Sequence, residues 1–138
     1  MGGSRPLWTL VEAGWGCAGL TEAQLAAFWW RYARDGKALQ VLTPLLHQEA
    51  ARIAREQQWP KLCDGYPYLP ELVEHVLAEE TMSDVQRHKV LERLAAVWGT
   101  SWEKHLSRRH RAIGAILDRW CVGAHDHIAR RIREYDDD

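Results

Sequence analysis

The sequence predicts an all-α fold, a single compact bundle of five to six helices. Two observations support this class: helix-capping sequences recur along the chain, and the alternation of polar and apolar residues that is typical of strands is almost absent. The length of 138 residues suits one domain, and a content of 46% hydrophobic residues suffices for a core. We therefore expect one helical domain over 1–138, with an N-terminal segment at 1–20 and an acidic tail at 136–138.

Capping residues and prolines set the bounds of the first two predicted helices. Thr21 and Gln24 form a capping box, in which each side chain accepts a hydrogen bond from the other residue's backbone N–H, and this predicts a helix from about 22 to 35. Pro44 is expected to open the second helix, because proline in the first turn gives up an N–H that has no partner there. Pro60 closes it.

The next two helices follow a loop that contains glycine, proline and two tyrosines. Pro70 is expected to start the third helix, which runs to about residue 80. Ser83 and Gln86 form a second capping box and open the fourth helix. Gly99 ends that helix, because glycine readily adopts the left-handed conformation found after helix C-termini.

The C-terminal part of the chain is expected to contain a fifth, longest helix and a sixth. Thr100 and Glu103 form a third capping box, and apolar residues then recur every three or four positions. The fifth helix has its predicted inward face at Trp102, Leu106, His110, Ile113, Leu117 and Trp120. The sixth has it at Ala124, Ile128, Ile132 and Tyr135. The predicted core comprises Leu25, Phe28, Ile53, Leu72, Val76, Leu94, Ile113, Leu117 and Ile128.

Two segments of the C-terminal half have features of a helix-turn-helix motif. The first spans 91–106 and turns at Gly99, and the second spans 117–131 and turns at Gly123. In the first segment the apolar anchor, Leu106, comes one residue later than the standard motif requires, and in the second segment the glycine is displaced by one residue. A plain antiparallel helix pair explains the same residues, so both interpretations stay open.

The last two predicted helices form the basic end of the chain. Residues 100–135 carry eight basic groups against four acidic ones. Such a surface attracts phosphate, so we predict that it binds nucleic acid. The residues concerned are Lys104, Arg108, Arg111, Arg130, Arg131 and Arg133. The alternative is a solvated helix exterior on which carboxylates neutralise these charges.

Eight tryptophans stand against one phenylalanine, which is unusual. Tryptophan buries a large apolar body but needs a partner for its N–H, so some of these rings should lie half-exposed at a partner surface. Trp29, Trp30 and Trp102 are the candidate partner-binding residues.

No metal, cofactor or catalytic site is expected. Cys121, His125 and His127 lie close in sequence, and His105 or His110 could join them, but structural zinc normally uses two close ligand pairs and one is visible here. Glu79-Glu80 and the aspartate tail at 136–138 could hold a metal only by accident of folding. The sequence contains no phosphate-binding glycine loop, no zinc-protease motif and no serine-hydrolase motif. We therefore expect a protein that is not an enzyme.

Two parts of the chain resemble phage late-gene transcription antiterminator proteins of the Q type. They are residues 19–28 (GLTEAQLAAF) and the end segment that runs from 101–106 (SWEKHL) to 127–132 (HIARRI), and the resemblance covers about a third of the chain in scattered pieces. The resemblance implies a small helical protein that loads at a promoter-proximal DNA element and joins RNA polymerase, which then reads through pauses and terminators. The basic helices would face DNA and polymerase. The paired C-x-x-C motifs of the zinc-bearing branch are absent, so the resemblance implies no zinc.

The sequence thus predicts a small phage-type regulator of transcription that binds DNA, RNA polymerase or both. The alternative is a protein-only module that inhibits or modulates a host protein, or binds a second copy of itself, through exposed tryptophans. Three cysteines without a C-x-x-C pair, no secretory signal and no membrane-spanning run favour the host cytoplasm.

Overall fold

The computed structural model describes residues 16–98 and 103–137, and over these ranges the chain is all-α. No strand forms within them, beyond one isolated bridge between Leu62 and Gly65. The predicted fold class is confirmed. The helices are α1 (Glu22–Ala33), α2 (Gly36–Glu56), α3 (Leu69–Ala78), α4 (Asp84–Trp98) and α5 (Glu103–Asp137), with a 3-10 turn at Glu79–Thr81. None of these helices is both long and apolar enough to cross a membrane.

The chain forms two compact units. Unit 1 combines the chain up to Leu42 with the chain from Leu117 onward, and unit 2 is Thr43–Ile116. Helices α2 and α5 each contribute residues to both units. The single domain over 1–138 stays a prediction.

Two of the three predicted capping boxes form. Thr21 Oγ1 accepts a hydrogen bond from the Gln24 N–H and Gln24 Oε1 accepts one from the Thr21 N–H, both at 3.1 Å. Ser83 and Gln86 make the same reciprocal pair at 3.3 and 2.9 Å. The starts of α1 and α4 are therefore confirmed. The third box, at Thr100, lies outside the described residues.

The predicted start of the second helix at Pro44 is wrong. Helix α2 begins eight residues earlier, at Gly36, where Asp35 Oδ1 accepts a hydrogen bond from the Lys37 N–H at 2.9 Å. Pro44 therefore lies inside the helix, where it removes one backbone hydrogen bond. The early turns also bury Leu42, and this packing together with the cap outweighs the lost bond.

The predicted fifth and sixth helices are one continuous helix, α5. The second helix-turn-helix candidate is therefore wrong, because Gly123 lies within α5 and makes no turn. A Cβ at Gly123 would lie 3.1 Å from Gln24 Nε2, so this glycine permits a close approach of α1. The first candidate turns at Gly99 to Ser101, which lie outside the described residues, and no helix-turn-helix is confirmed.

Each unit has a core that includes residues predicted from the sequence. In unit 1, Phe28, Ala124, Ile128 and Ile132 cluster together. The predicted core residues that are buried are Phe28, Ile53, Leu72, Val76, Ile113, Leu117 and Ile128.

Leu25 and Leu94 are only half-buried, so their placement in the core is wrong. Leu25 lies about 160° around α1 from the fully buried Ala27, on the opposite side of the helix. Leu94 belongs to α4, and the least exposed of the described side chains of this helix, Arg87, Val90 and Leu94, are all half-buried.

Tyr68 anchors the loop before α3. This residue is 1% exposed, and its hydroxyl donates a hydrogen bond to the Pro60 carbonyl at 2.6 Å. Burial raises the pKa of Tyr68 to about 12. The raised pKa means that the neutral hydroxyl stabilises the folded state fully below about pH 10, and that this contribution disappears as the pH rises to about 12.

Tyr68→Phe is expected to lower the free energy of unfolding by about 1 kcal/mol near neutral pH, because the half-buried Pro60 carbonyl loses its donor. Urea unfolding of both proteins at about pH 8 and about pH 11 tests this assignment. The difference between the two proteins should narrow at the higher pH. An equal difference at both values would show that the hydroxyl does not titrate as argued.

Candidate functional site

The first half of α5 carries an exposed row of cations in unit 2. Lys104, Arg108 and Arg111 are exposed and lie four and three residues apart, so they share one side of the helix. We call these three residues the basic face. Within the described part of the chain, none of them makes an ion pair or hydrogen bond with another side chain. The basic face is thus a concentration of positive charge without a carboxylate partner in the described part of the chain.

Other arginines of the chain behave differently. In unit 1, Arg31 Nη2 lies 2.6 Å from Asp118 Oδ1. In unit 2, Arg52 lies between two carboxylates of its own helix, with Nη1 at 2.7 Å from Glu56 Oε1. Exposed ion pairs of this kind stabilise the fold little, but they cancel charge.

The remaining predicted nucleic-acid residues lie on α5 within unit 1. Arg130 and Arg133 are exposed and three residues apart, whereas Arg131 is half-buried. Arg130 Nη2 donates to His127 Nδ1 at 3.5 Å. The structure thus places the six predicted residues in two groups, one in each unit, and the basic face is the group in which all three cations are exposed.

An open groove in unit 2 combines cations with aromatic rings, and it was not predicted from the sequence. Its volume is about 610 Å³, and Lys61 Nζ lies 5.9 Å from the ring centroid of Tyr66. The guanidinium of Arg109, which follows Arg108 on α5, lies 5.1 Å from the ring centroid of Trp59. Such surroundings suit phosphates and unstacked bases. The groove is lined by Arg55, Gln58, Trp59, Lys61 and Tyr66.

The three predicted partner-binding tryptophans do not form one exposed patch. Trp30 is 8% exposed and belongs to the buried residues of unit 1, so it is no exposed anchor. Trp29 is half-buried and meets Phe28 edge-on, with ring centroids 5.3 Å apart. Trp102 lies outside the described residues.

Cys121, His125 and His127 do not converge on a common point in unit 1. The Cys121 thiol is fully buried and donates to the Ala27 carbonyl at 3.5 Å. His127 Nε2 donates to the Ala18 carbonyl at 2.7 Å. His125 faces the ring of Tyr32, with centroids 6.2 Å apart. Each side chain has its own structural partner.

A different group of titratable side chains meets in unit 2. His75 of α3, Glu79 of the 3-10 turn and His110 of α5 place one donor atom each within 4.8 Å of one another. His110 Nε2 contacts Glu79 Oε1 directly, and His75 Nδ1 lies 3.7 Å from the same oxygen. The two imidazole rings have centroids 4.8 Å apart. We call these three residues the His–Glu–His cluster.

Arg87 of α4 contacts Glu79 of the cluster, with hydrogen bonds to its backbone carbonyl and a longer ion pair to its carboxylate. Its Nη2 donates to the Glu79 carbonyl at 2.9 Å, and its Nε lies 3.8 Å from Glu79 Oε2. Burial lowers the pKa of His75 below its usual value, and the neighbouring His110 lowers it further, against the opposing effect of Glu79. His75 is therefore a neutral imidazole at neutral pH.

The cluster had partial signals in the sequence. His75 and Glu79 are four residues apart and so lie on one side of a helix. His110 falls on the predicted apolar face of the fifth helix, where a titratable side chain is out of place. The pairing of His110 with residues 31 positions or more away depends on tertiary packing.

No family model matches the chain, and neither a curated protein nor a solved structure matches it.

Proposed function

We propose that this chain is a small, non-enzymatic regulator that binds duplex DNA through the basic face of α5. The observation that supports this proposal is the row of exposed cations at Lys104, Arg108 and Arg111, which lack carboxylate partners among the described residues. Cations that are not neutralised by the protein itself are the groups that displace counterions from a phosphate backbone.

The spacing of the basic face suits a phosphate backbone. At about 1.5 Å per residue, Lys104 and Arg111 are separated by about 10 Å along α5. One DNA strand presents a phosphate about every 3.4 Å along the duplex axis, so the face spans about three phosphate steps. The long, flexible lysine and arginine side chains adapt to the remaining difference between the spacing of the cations and the spacing of the phosphates. Contacts of this kind fix position and do not read sequence.

A transcriptional setting is the second part of the proposal. Residues 19–28 and the end segment from 101–106 to 127–132 resemble phage late-gene antiterminators, and the end segment contains the basic face. On this proposal the chain joins RNA polymerase near DNA and changes its response to pauses and terminators.

Fluorescence anisotropy with a labelled duplex at low salt tests the DNA contact. Arg108→Ala combined with Arg111→Ala should weaken binding at least about tenfold, because a hydrogen bond to a charged group contributes about 1.5–3 kcal/mol. The matched control is Lys89→Ala with Arg93→Ala, which removes the same charge from exposed positions four residues apart on α4. The control should bind like the wild type. Equal loss in both variants would contradict a specific role for the basic face.

The alternative, a protein-only module, makes a different prediction. It expects no duplex affinity at any salt concentration and a partner whose binding survives loss of Arg108 and Arg111 but fails in Trp29→Ala. Capture from a host lysate, with and without nuclease, separates the two proposals. RNA polymerase subunits support the transcriptional role, whereas one unrelated host enzyme that resists nuclease supports the alternative.

A further inference from the structure

The His–Glu–His cluster contains a buried side chain that has no hydrogen-bond partner in the described part of the chain. His75 is 3% exposed, and neither of its ring nitrogens is hydrogen-bonded within residues 16–98 and 103–137. Buried polar atoms are nearly always paired, so an imidazole with two unpaired nitrogens indicates a missing partner. Its Nδ1 faces the oxygen of Glu79 that His110 contacts.

We propose that His75, Glu79 and His110 bind one divalent transition-metal ion, and that Zn²⁺ is the ion that fits these donors. Two imidazoles and one carboxylate are a ligand set that zinc uses when a fourth position stays open to water. The DNA contact proposed above does not depend on this site.

The distances suit such a site. Donor atoms of a tetrahedral zinc ion lie about 2.0–2.2 Å from the metal and therefore about 3.3 Å from one another. His75 Nδ1 and Glu79 Oε1 are 3.7 Å apart, and all three donors lie within 4.8 Å. Glu79 and His110 retain 22% and 14% side-chain exposure, so a water molecule can reach the fourth position.

A plain ion pair between His110 and Glu79 is the competing explanation. It accounts for the contact between these two side chains. It does not account for His75, whose Nδ1 stays 3.7 Å from the carboxylate and has no hydrogen-bond partner among the described residues. A metal ion satisfies one nitrogen of each imidazole together with the carboxylate.

Arg87 has the role of a positioning residue. Metal-bound carboxylates are held in turn by hydrogen-bond donors, and loss of such a donor costs about 10–100-fold in metal affinity. Arg87 contacts both the carbonyl and the carboxylate of Glu79. Arg87→Gln should therefore weaken metal binding within that range.

Calorimetric titration of the metal-free, full-length protein with Zn²⁺ tests the proposal. We expect one Zn²⁺ per chain, and an affinity at least about 100-fold lower in His110→Ala, because loss of a ligand exceeds loss of its supporting donor. All proteins carry Cys63→Ser, which removes an exposed thiol as a competing ligand. Circular dichroism shows whether each variant is folded.

The matched control is His88→Ala. His88 and Glu92 on α4 repeat the spacing of His75 and Glu79, with Nε2 and Oε1 2.9 Å apart, but both are exposed, and no third ligand joins them among the described residues. The control should bind Zn²⁺ with an affinity within about threefold of that of the starting protein, the chain that carries Cys63→Ser alone. This change is much smaller than the loss of affinity expected when a metal ligand is removed.

A second variant keeps the test informative if His110→Ala fails to fold. His75→Leu fills the buried volume without polar atoms, so it should fold but should lose the rise in Tm that Zn²⁺ causes in the starting protein. Co²⁺ should give the visible absorption of a low-coordinate ion in the starting protein and not in His75→Leu. The proposal is overturned if the starting protein binds no Zn²⁺, or if binding survives in His75→Leu, or if His88→Ala abolishes it.

Discussion

Replacing Leu117 with alanine is expected to lower the free energy of unfolding by about 2–5 kcal/mol. Leu117 is 2% exposed and lies on the buried side of α5. The substitution removes buried methyl groups and leaves a cavity that the surrounding helices fill only in part. Urea unfolding followed by circular dichroism gives the difference between the two proteins.

Val122→Ala provides the control for this prediction. Val122 is an aliphatic residue on the same helix, five positions later, but it is 56% exposed. Its replacement should change the free energy of unfolding by no more than about 0.5 kcal/mol. Similar values for the two variants would mean that the buried and exposed sides of α5 are assigned incorrectly.

The second large effect concerns the dependence of DNA binding on salt. Each phosphate neutralised by the protein adds about 0.9 to the slope of log affinity against log salt concentration. Removal of Arg108 and Arg111 should therefore reduce that slope by about 1.8, whereas the Lys89→Ala, Arg93→Ala control should leave it unchanged. Anisotropy titrations from low to physiological salt supply the slopes.

Thermal stability must be measured on the same variants. Arg108 and Arg111 are exposed, and exposed charges contribute little to folding. The double variant should therefore melt close to the wild type. If it unfolds instead, the two arginines have a structural role, and the division of α5 into a buried side and a functional basic face is contradicted.

Features set by neighbouring residues were predictable from the sequence. The capping boxes at Thr21 and Ser83 depend on residues three positions apart, and both form. The inward face of α5 follows from helical periodicity, and Ile113, Leu117 and Ile128 are buried as predicted.

Features that depend on competition between local and tertiary forces were predicted incorrectly. Pro44 disfavours a helix locally, but the cap at Asp35 and the burial of Leu42 extend α2 through it. Gly123 also disfavours a helix, yet α5 continues because the missing side chain permits close contact with Gln24. A helix breaker inside an amphipathic pattern is thus overridden when packing on both sides favours the helix.

The candidate sites also differ in whether neighbouring residues or tertiary packing create them. The row formed by Lys104, Arg108 and Arg111 was predictable because one helix presents it. The meeting of His75 with His110 was not, because three separate elements create the His–Glu–His cluster. The groove that includes Trp59 likewise depends on residues brought together by a loop.

The most direct test of the proposed function locates the DNA on the protein. Titration of the isotope-labelled chain with a short duplex, followed by two-dimensional NMR, reports each backbone amide and each arginine Nε–H separately. We expect the largest shifts at 104–111, with the Nε–H signals of Arg108 and Arg111 among them, and little change at Arg93. Shifts that are absent at low salt, or that concentrate on α4 or around Trp29, would contradict the proposal.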